Sequence, residues 1–205
     1  MTTAAERLGR TPVDKFAARR SELASAALKT LAERGYAQTG LRDIAQNSDF
    51  SHGVLHYYFS DKTDLITHCV REYKAVCVTR YDEVVARATT ASELAEGFLQ
   101  KLAETLVDEA PLHRLWYDLR NQSMFEAAFR ADVAEIDLLL ERMIGRIVTR
   151  YGELSGAAPQ VPPPVMYAVF DGLFQQALLR RLAGDPSAAA DLRAAVAQVL
   201  PNLFR

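Results

Sequence analysis

The chain has 205 residues, of which 49% are hydrophobic and 24% are charged, and its formal net charge at pH 7 is −2. This composition is typical of a globular protein with a substantial core, and the near-neutral charge does not by itself indicate a nucleic-acid-binding protein. The apolar runs are short and interrupted by charge, and residues 1–20 hold no apolar segment typical of a secretory signal, so we expect no membrane association and no leader peptide.

The two cysteines indicate in which cellular compartment the protein is expected. Cys69 and Cys77 lie in one predicted helix, where a separation of about 12 Å is too large for a disulfide bond. We therefore expect reduced thiols and a cytoplasmic protein. Two buried structural thiols are favoured over a redox sensor.

The predicted elements are helices throughout, because apolar residues recur at three- and four-residue steps and strand-like alternation is missing. Residues 1–13, with Gly9 and Pro12, are expected to form a flexible tail. Gly35 ends the first helix, Ser51 caps the third and Ser92 caps the fifth. The predicted helices span 14–34, 41–48, 51–59, 61–87, a segment from 92 to before 111, 112–125, 127–154, 164–183 and a last segment ending near 200. The sequence thus predicts an all-α protein of about nine helices.

Residues 49–62, DFSHGVLHYYFSDK, are unusually rich in histidine and aromatic residues. Three short helices in a row, with a junction of three or four residues before the third, predict a helix-turn-helix. Its second helix would turn Val54, Leu55 and Phe59 inward. The residues left outside would be Ser51, His52, Gly53, His56 and Tyr57. Tyr58 is more simply a core or bracing aromatic residue.

This exposed set suits DNA. Hydroxyl groups and helix N-terminal amides bind phosphate, while histidine and serine reach base edges. Gly53 would allow the backbone to approach DNA closely, and Lys62 adds a cation beside the start of the next helix. A zinc site at His52 and His56 is disfavoured, because the glutamate of an HExxH motif is missing and no third ligand is evident; we expect no metal and no cofactor.

Residues 35–65 resemble the DNA-binding motif of TetR-family transcriptional regulators. The matching positions are Gly35, Tyr36, Thr39, Ile44, Ala45, Ser51, Gly53, Leu55, Phe59, Lys62 and Leu65. Asp49 replaces the usual turn glycine and is expected to preserve the turn through its tolerance of left-handed backbone. His56 replaces the usual phosphate-contacting tyrosine.

The resemblance implies a helix-turn-helix DNA-binding domain at 14–60, and a ligand-binding and dimerisation domain at 61–205. The expected DNA contacts are Thr39, Arg42, Ser51, His52, Gly53, His56, Tyr57 and Lys62. For Arg42, a solvated side chain fits equally well. The expected partners are double-stranded DNA with an inverted-repeat operator, a small-molecule effector of unknown identity and a second copy of the chain.

The second domain holds aromatic residues beside polar groups, a composition typical of small-molecule pockets. The expected ligand contacts are Trp116, Tyr117, Arg120, Asn121, Phe125, Phe170, Phe174 and Gln175; a plain amphipathic helix is the alternative. Asp171 is expected to pair with Arg120 or to meet a cationic ligand. The last two helices are expected to form the dimer through Leu178, Leu179, Leu182, Leu192, Val196, Val199 and Leu200. The composition of 127–205 resembles the BetI-like branch of the family, from which we infer no ligand.

Three hypotheses follow. The first is a homodimeric repressor that a small molecule releases from a palindromic operator. The second is an enzyme using His52, His56 or His113, against which the sequence shows no nucleophile–base motif, phosphate loop or metal set. The third is a helical scaffold that binds a protein partner and no DNA.

Overall fold

The computed structural model of the protein describes residues 12–205, which form helices joined by short turns. The predicted all-α fold is confirmed. The helices are α1 (Pro12–Arg34), α2 (Leu41–Gln46), α3 (His52–Tyr58), α4 (Lys62–Cys77), α5 (Asp82–Arg87), α6 (Ala91–Asp108), α7 (Ala110–Gln122), α8 (Arg130–Ser155), α9 (Pro163–Leu182) and α10 (Ala188–Asn202). A 3₁₀ turn, Ala127–Phe129, precedes α8. Within residues 12–205 no helix is both long enough and apolar enough to cross a membrane.

The fourth predicted helix is divided in two, so the described residues hold ten α-helices instead of about nine. Helix α4 ends at Cys77, and α5 begins only at Asp82. At the break the Thr79 hydroxyl donates a hydrogen bond of 3.0 Å to the Val76 carbonyl oxygen. A side chain that occupies a backbone carbonyl in this way competes with continuation of the helix.

Two predicted helix starts differ from the structure. Helix α1 begins at Pro12, so residues 12 and 13 are helical; the rest of the predicted tail lies outside the described residues. Helix α6 is capped by Thr90 and not by Ser92: the Thr90 hydroxyl accepts from the Glu93 amide at 3.1 Å. The Glu93 carboxylate accepts in return from the Thr89 amide at 2.9 Å. This reciprocal pairing satisfies two free amides at the helix start and fixes where it lies.

Contacts among the helices divide the chain into two compact units. The first runs to Tyr73 and also includes Leu115–Arg130, and the second consists of Lys74–Arg114 and Ala131–Arg205. The second half of α7 and the 3₁₀ turn therefore group with the amino-terminal helices, although the sequence placed them in the second domain. Helices α4 and α7 each contribute residues to both units.

The core of the first unit is formed by α1, α2 and α3, which pack on one another, together with the first turns of α4. Its fully buried side chains include Leu23, Leu31, Ile44, Leu55 and Leu65. The Cys69 thiol donates to the Ala24 carbonyl oxygen at 3.3 Å, and burial raises the pKa of this thiol. A buried, protonated thiol fits the structural role expected of Cys69.

The second unit is built around α6, α9 and α10. Four residues predicted for the dimer face are at most 3% exposed here: Leu178, Leu192, Val196 and Leu200. That part of the prediction is wrong, because α10 packs its apolar side against α6 and α9 of the same chain. Leu179 and Leu182 do remain exposed, at 64% and 41%.

Candidate nucleic-acid interface

Helices α2 and α3 are short, and side chains at their starts satisfy the free amides. The Asp43 carboxylate accepts from the Gly40 amide at 2.8 Å at the start of α2. The Ser51 hydroxyl accepts from the Val54 amide at 3.3 Å, which confirms Ser51 as the N-cap of α3. Capping of this kind stabilises a helix by about 1 kcal/mol and fixes the residue at which α3 begins.

The turn between α2 and α3 does not use left-handed backbone. Among the described residues no non-glycine residue has a positive φ, so the expected use of such a conformation at Asp49 is wrong. The Asn47 amide instead continues to carbonyl oxygens of α2, and the Phe50 amide donates to the Ser48 hydroxyl at 3.4 Å. Serine and asparagine side chains close the turn in place of glycine.

Helix α3 has one buried side and one exposed side. Leu55 and Phe59 are 0% and 1% exposed and belong to the core. Val54, predicted to point inward, is half-buried. The exposed residues are Ser51, Gly53, His56 and Tyr57, the last of them at 73%. His52 is half-buried, with its ring edge-on to that of His56 at 4.4 Å between centroids.

Gly53 is not required by the fold. Its φ is not positive, and a Cβ built on it would meet nothing nearer than the Ser51 hydroxyl oxygen at 3.9 Å. Glycine within a helix costs roughly 0.5–1 kcal/mol relative to alanine. Gly53 therefore leaves the helix backbone uncovered by a side chain on the exposed side of α3, and it lowers the stability of the helix relative to alanine.

A shallow groove of about 360 Å³ runs between α2 and the start of α3. Its lining residues are Arg42, Ala45, Gln46, Phe50, Ser51 and His52. Arg42 is exposed beside this groove. Thr39, in contrast, is only 1% exposed, and its hydroxyl donates to the Gly35 carbonyl oxygen at 2.8 Å. Thr39 thus supports the turn before α2 from inside the unit.

Comparison with known proteins places this geometry in a family. Residues 23–69 match the family model described as bacterial regulatory proteins of the tetR family. The chain carries a TetR-family DNA-binding domain. The resemblance recognised in residues 35–65 is therefore confirmed.

Relatives with similar sequences are regulators by name. The HTH-type transcriptional regulator BetI from Burkholderia ambifaria is 31% identical over 116 residues, which is 55% of this chain and 58% of BetI. The chain thus spans little more than half the length of that relative. The HTH-type transcriptional repressor KstR2 from Mycobacterium tuberculosis is 26% identical over 148 residues, or 59% of this chain and 74% of KstR2.

Solved structures of transcriptional regulators share the fold. A regulator from Saccharomonospora viridis, crystallised in complex with choline, superposes with a TM-score of 0.73 at 16% identity, covering 92% of this chain and 98% of that one. At such low identity the likeness concerns the fold alone.

The TetR-family domain has an aromatic cluster that the sequence did not reveal. Phe16 on α1 is 40% exposed, and its ring centroid lies 4.8 Å from that of Tyr58 and 6.2 Å from that of Tyr57. Phe16 lies seven residues before Leu23 on the same face of α1, so helical periodicity alone would place it in the core. Only the packing of α3 against α1 shows that its ring braces the exposed Tyr57.

Lys62, at the start of α4, is half-buried, and its Nζ lies 4.1 Å from the centroid of the Tyr36 ring. Burial lowers the pKa of Lys62, while the carboxylates of Glu126, Asp118 and Asp43 oppose that shift. The helix start beside it is capped, since the Asp61 carboxylate accepts from the Asp64 amide at 2.9 Å. Lys62 is therefore a cation held beside an aromatic ring and not a freely extended side chain.

The residues expected to bind a ligand fall into two groups. Trp116, Tyr117, Arg120, Asn121 and Phe125 belong to the first unit, and Phe170, Phe174 and Gln175 belong to the second. The buried members are Trp116, Tyr117, Phe170 and Phe174, at 1% to 7% exposed. Arg120 and Gln175 are half-buried, Asn121 is exposed, and Phe125 is 82% exposed.

The second unit also buries a polar cluster that sequence reasoning missed. Lys74 is 3% exposed, and burial lowers its pKa to about 8, while the charges of Asp171 and Glu109 oppose the shift. The His113 Nε2 lies 2.9 Å from the Thr105 hydroxyl, and burial holds the His113 pKa well below its usual value. The burial of Lys74 could have been inferred from the sequence, because Lys74 follows Val70 by four residues and so lies on the buried side of α4.

The described residues were also compared with the arrangement that a metal site requires. Across residues 12–205 no group of three or more histidine, cysteine, aspartate or glutamate side chains is placed to hold a metal ion. His52 and His56, four residues apart on α3, contact each other edge-on through their rings.

Proposed function

We propose that the protein is a homodimeric transcriptional repressor that binds an inverted-repeat operator and is released by a small molecule. The observation that carries the proposal is the exposed side of α3, where Ser51, Gly53, His56 and Tyr57 stand outside a helix whose Leu55 and Phe59 are buried. A helix-turn-helix needs such a helix to project from the core if it is to enter a major groove.

The roles on this surface divide by chemistry. His52 is proposed to contact base edges, since imidazole nitrogens hydrogen-bond to groups displayed in the groove. The proposed phosphate contacts are Ser51, His56, Tyr57, Arg42 and Lys62. Thr39 is left out of this set, because its side chain is buried.

Dimerisation is proposed to use the outer faces of α9 and α10. Exposed apolar residues of α9 are Val165, Leu179 and Leu182. The exposed side of α10 carries the small residues Ala190, Ala194 and Ala197, which would allow close approach of a second helix. A dimer formed through this surface would carry two copies of α3, one for each half-site.

Effector control is proposed because BetI and KstR2 are named as regulators and a protein of the same fold was solved with choline bound. A ligand that prefers the state unable to bind DNA would release the operator. Coupling of about 1–3 kcal/mol is typical of such regulators. The identity of the ligand does not follow from the fold.

Sequence selection from random duplex DNA with the purified chain tests the proposal. Enrichment of an inverted repeat is expected for a dimer that contacts bases. A folded dimer that enriches no sequence, even at low salt, would refute it and return attention to the scaffold hypothesis.

Two substitutions then separate base contacts from phosphate contacts. His52→Ala should weaken operator binding more than binding to random DNA, whereas Lys62→Ala should weaken both alike and reduce the salt dependence by about one phosphate contact. Lys101→Ala, in α6 of the second unit, is the matched control and should change neither. Equal behaviour of the His52 and Lys62 variants would contradict the assigned roles.

A further inference from the structure

Four half-buried residues of the first unit form what we call the Tyr36 cluster: Tyr36, Lys62, Asp118 and Glu126. The Tyr36 amide donates to Asp118 Oδ2 at 2.9 Å, and the Tyr36 hydroxyl donates to Glu126 Oε2 at 3.0 Å and Oε1 at 3.2 Å. The fully buried Phe129 packs edge-on against the Tyr36 ring at 5.4 Å between centroids. The segment 115–130 therefore binds both the backbone and the side chain of Tyr36, in the turn after α1.

Lys62 interacts with the other members of the Tyr36 cluster. Its ammonium lies over the face of the Tyr36 ring, at 4.1 Å from the centroid, and the ring's hydroxyl is bound to the Glu126 carboxylate. Among the carboxylates that favour the charged form of Lys62, Glu126 has the largest effect and Asp118 the next. Two acids from the segment 115–130 thus act on the cation that Lys62 would offer to DNA.

We propose that Glu126 is a positioning residue for DNA binding, whose carboxylate holds the Tyr36 ring under Lys62 and competes with a DNA phosphate for the Lys62 ammonium. This inference rests on the proposed function. A phosphate must draw the Lys62 ammonium from the face of the Tyr36 ring and against the attraction of the Glu126 charge, so Glu126 lowers the affinity for DNA and sets how much Lys62 contributes.

The position of Glu126 in the chain gives its effect on Lys62 a regulatory role in this proposal. It lies four residues after Gln122, where α7 ends, in the segment that also contains the buried Trp116 and Tyr117. These two are among the residues proposed to meet an effector. A shift of this segment would change the distance from Glu126 to Lys62 and with it the strength of the phosphate contact.

The test is equilibrium binding of the full chain to a duplex recovered by the selection, measured from low to moderate salt. Glu126→Gln keeps an acceptor for the Tyr36 hydroxyl and removes the charge. It is expected to tighten DNA binding about two- to fivefold at low salt, with the gain shrinking as salt rises. In a Lys62→Ala background the same substitution should change nothing.

Two further variants serve as controls for the effect of Glu126→Gln. Glu33→Gln removes the same charge from an exposed position of α1 in the same unit, and should leave the affinity within error of wild type. Glu126→Ala removes the charge without keeping the acceptor, and should tighten binding in the same way if Glu126→Gln does not fold.

Unchanged or weaker binding by Glu126→Gln would overturn the proposal, as would an equal gain in the Lys62→Ala background, which would indicate general charge repulsion. Wild-type protein that binds no duplex at low salt would refute the proposed function itself. Wild-type binding without a Glu126 effect would overturn only the role given to Glu126.

Discussion

Substitution of Gly53 by alanine should separate the requirements of folding from those of DNA binding. The added Cβ would lie 3.9 Å from the Ser51 hydroxyl oxygen, an ordinary van der Waals contact, and the backbone at Gly53 has no positive φ. Replacing glycine by alanine at a compatible site stabilises a protein by about 0.4–1 kcal/mol, mainly by restricting the unfolded chain. We therefore expect Gly53→Ala to raise the free energy of unfolding.

DNA affinity should change in the opposite direction. If the backbone at Gly53 approaches the DNA closely, a methyl group there must displace one surface from the other. Overpacking of a close contact costs roughly 1–3 kcal/mol, which corresponds to about a five- to 150-fold loss of affinity. Stability and affinity would thus move apart in a single variant.

Urea denaturation and DNA titration of the same preparation measure both quantities. The matched control is Gly145→Ala on α8, where an added Cβ would meet only the Pro163 Cβ at 4.0 Å. That control should gain similar stability and keep wild-type affinity. A stable Gly53→Ala protein that binds DNA as tightly as wild type would refute close approach at this position, and a destabilised one would refute the packing argument.

Two further predictions concern the aromatic cluster and the buried histidine. Phe16→Ala removes the ring that braces Tyr57 and Tyr58; because Tyr57 must then be ordered on binding, DNA affinity measured by titration should fall about two- to tenfold, and unchanged affinity would show that the brace is irrelevant. His113 has a folded-state pKa below that of the unfolded chain. Below about pH 6.5 the unfolded state therefore binds more protons than the folded state. The free energy of unfolding should consequently decrease as the pH is lowered, by at most about 1.4 kcal/mol per pH unit. Urea denaturation between about pH 5 and pH 7.5 checks this, and His113→Gln should show a flatter profile; an equally steep one would assign the dependence to other groups.

Much of the DNA-binding region follows from local rules. Gly35 ends α1 with φ +79°, as expected of a glycine that stops a helix. The four-residue spacing of Leu55 and Phe59 identified the buried side of α3, and Ser51 marked its first turn. Such features depend on neighbours within a few residues, so the sequence contains them directly.

Other features depend on which helix packs against a given apolar face, and sequence periodicity does not contain that information. The apolar stripe of α10 was correctly seen, but its partners are α6 and α9 of the same chain, and the residues left exposed are small alanines. Phe16 has the spacing of the apolar face of α1, yet near the start of that helix its ring is 40% exposed and contacts Tyr57.

The grouping of residues 115–130 with the amino-terminal helices is the clearest case. No local pattern connects Glu126 to Tyr36, which precedes it by 90 residues. What the sequence by itself determined is the set of helices, their apolar sides and the exposed side of α3. Tertiary structure alone decided that carboxylates from a distant segment stand beside Lys62, because such contacts arise only when separate helices pack together.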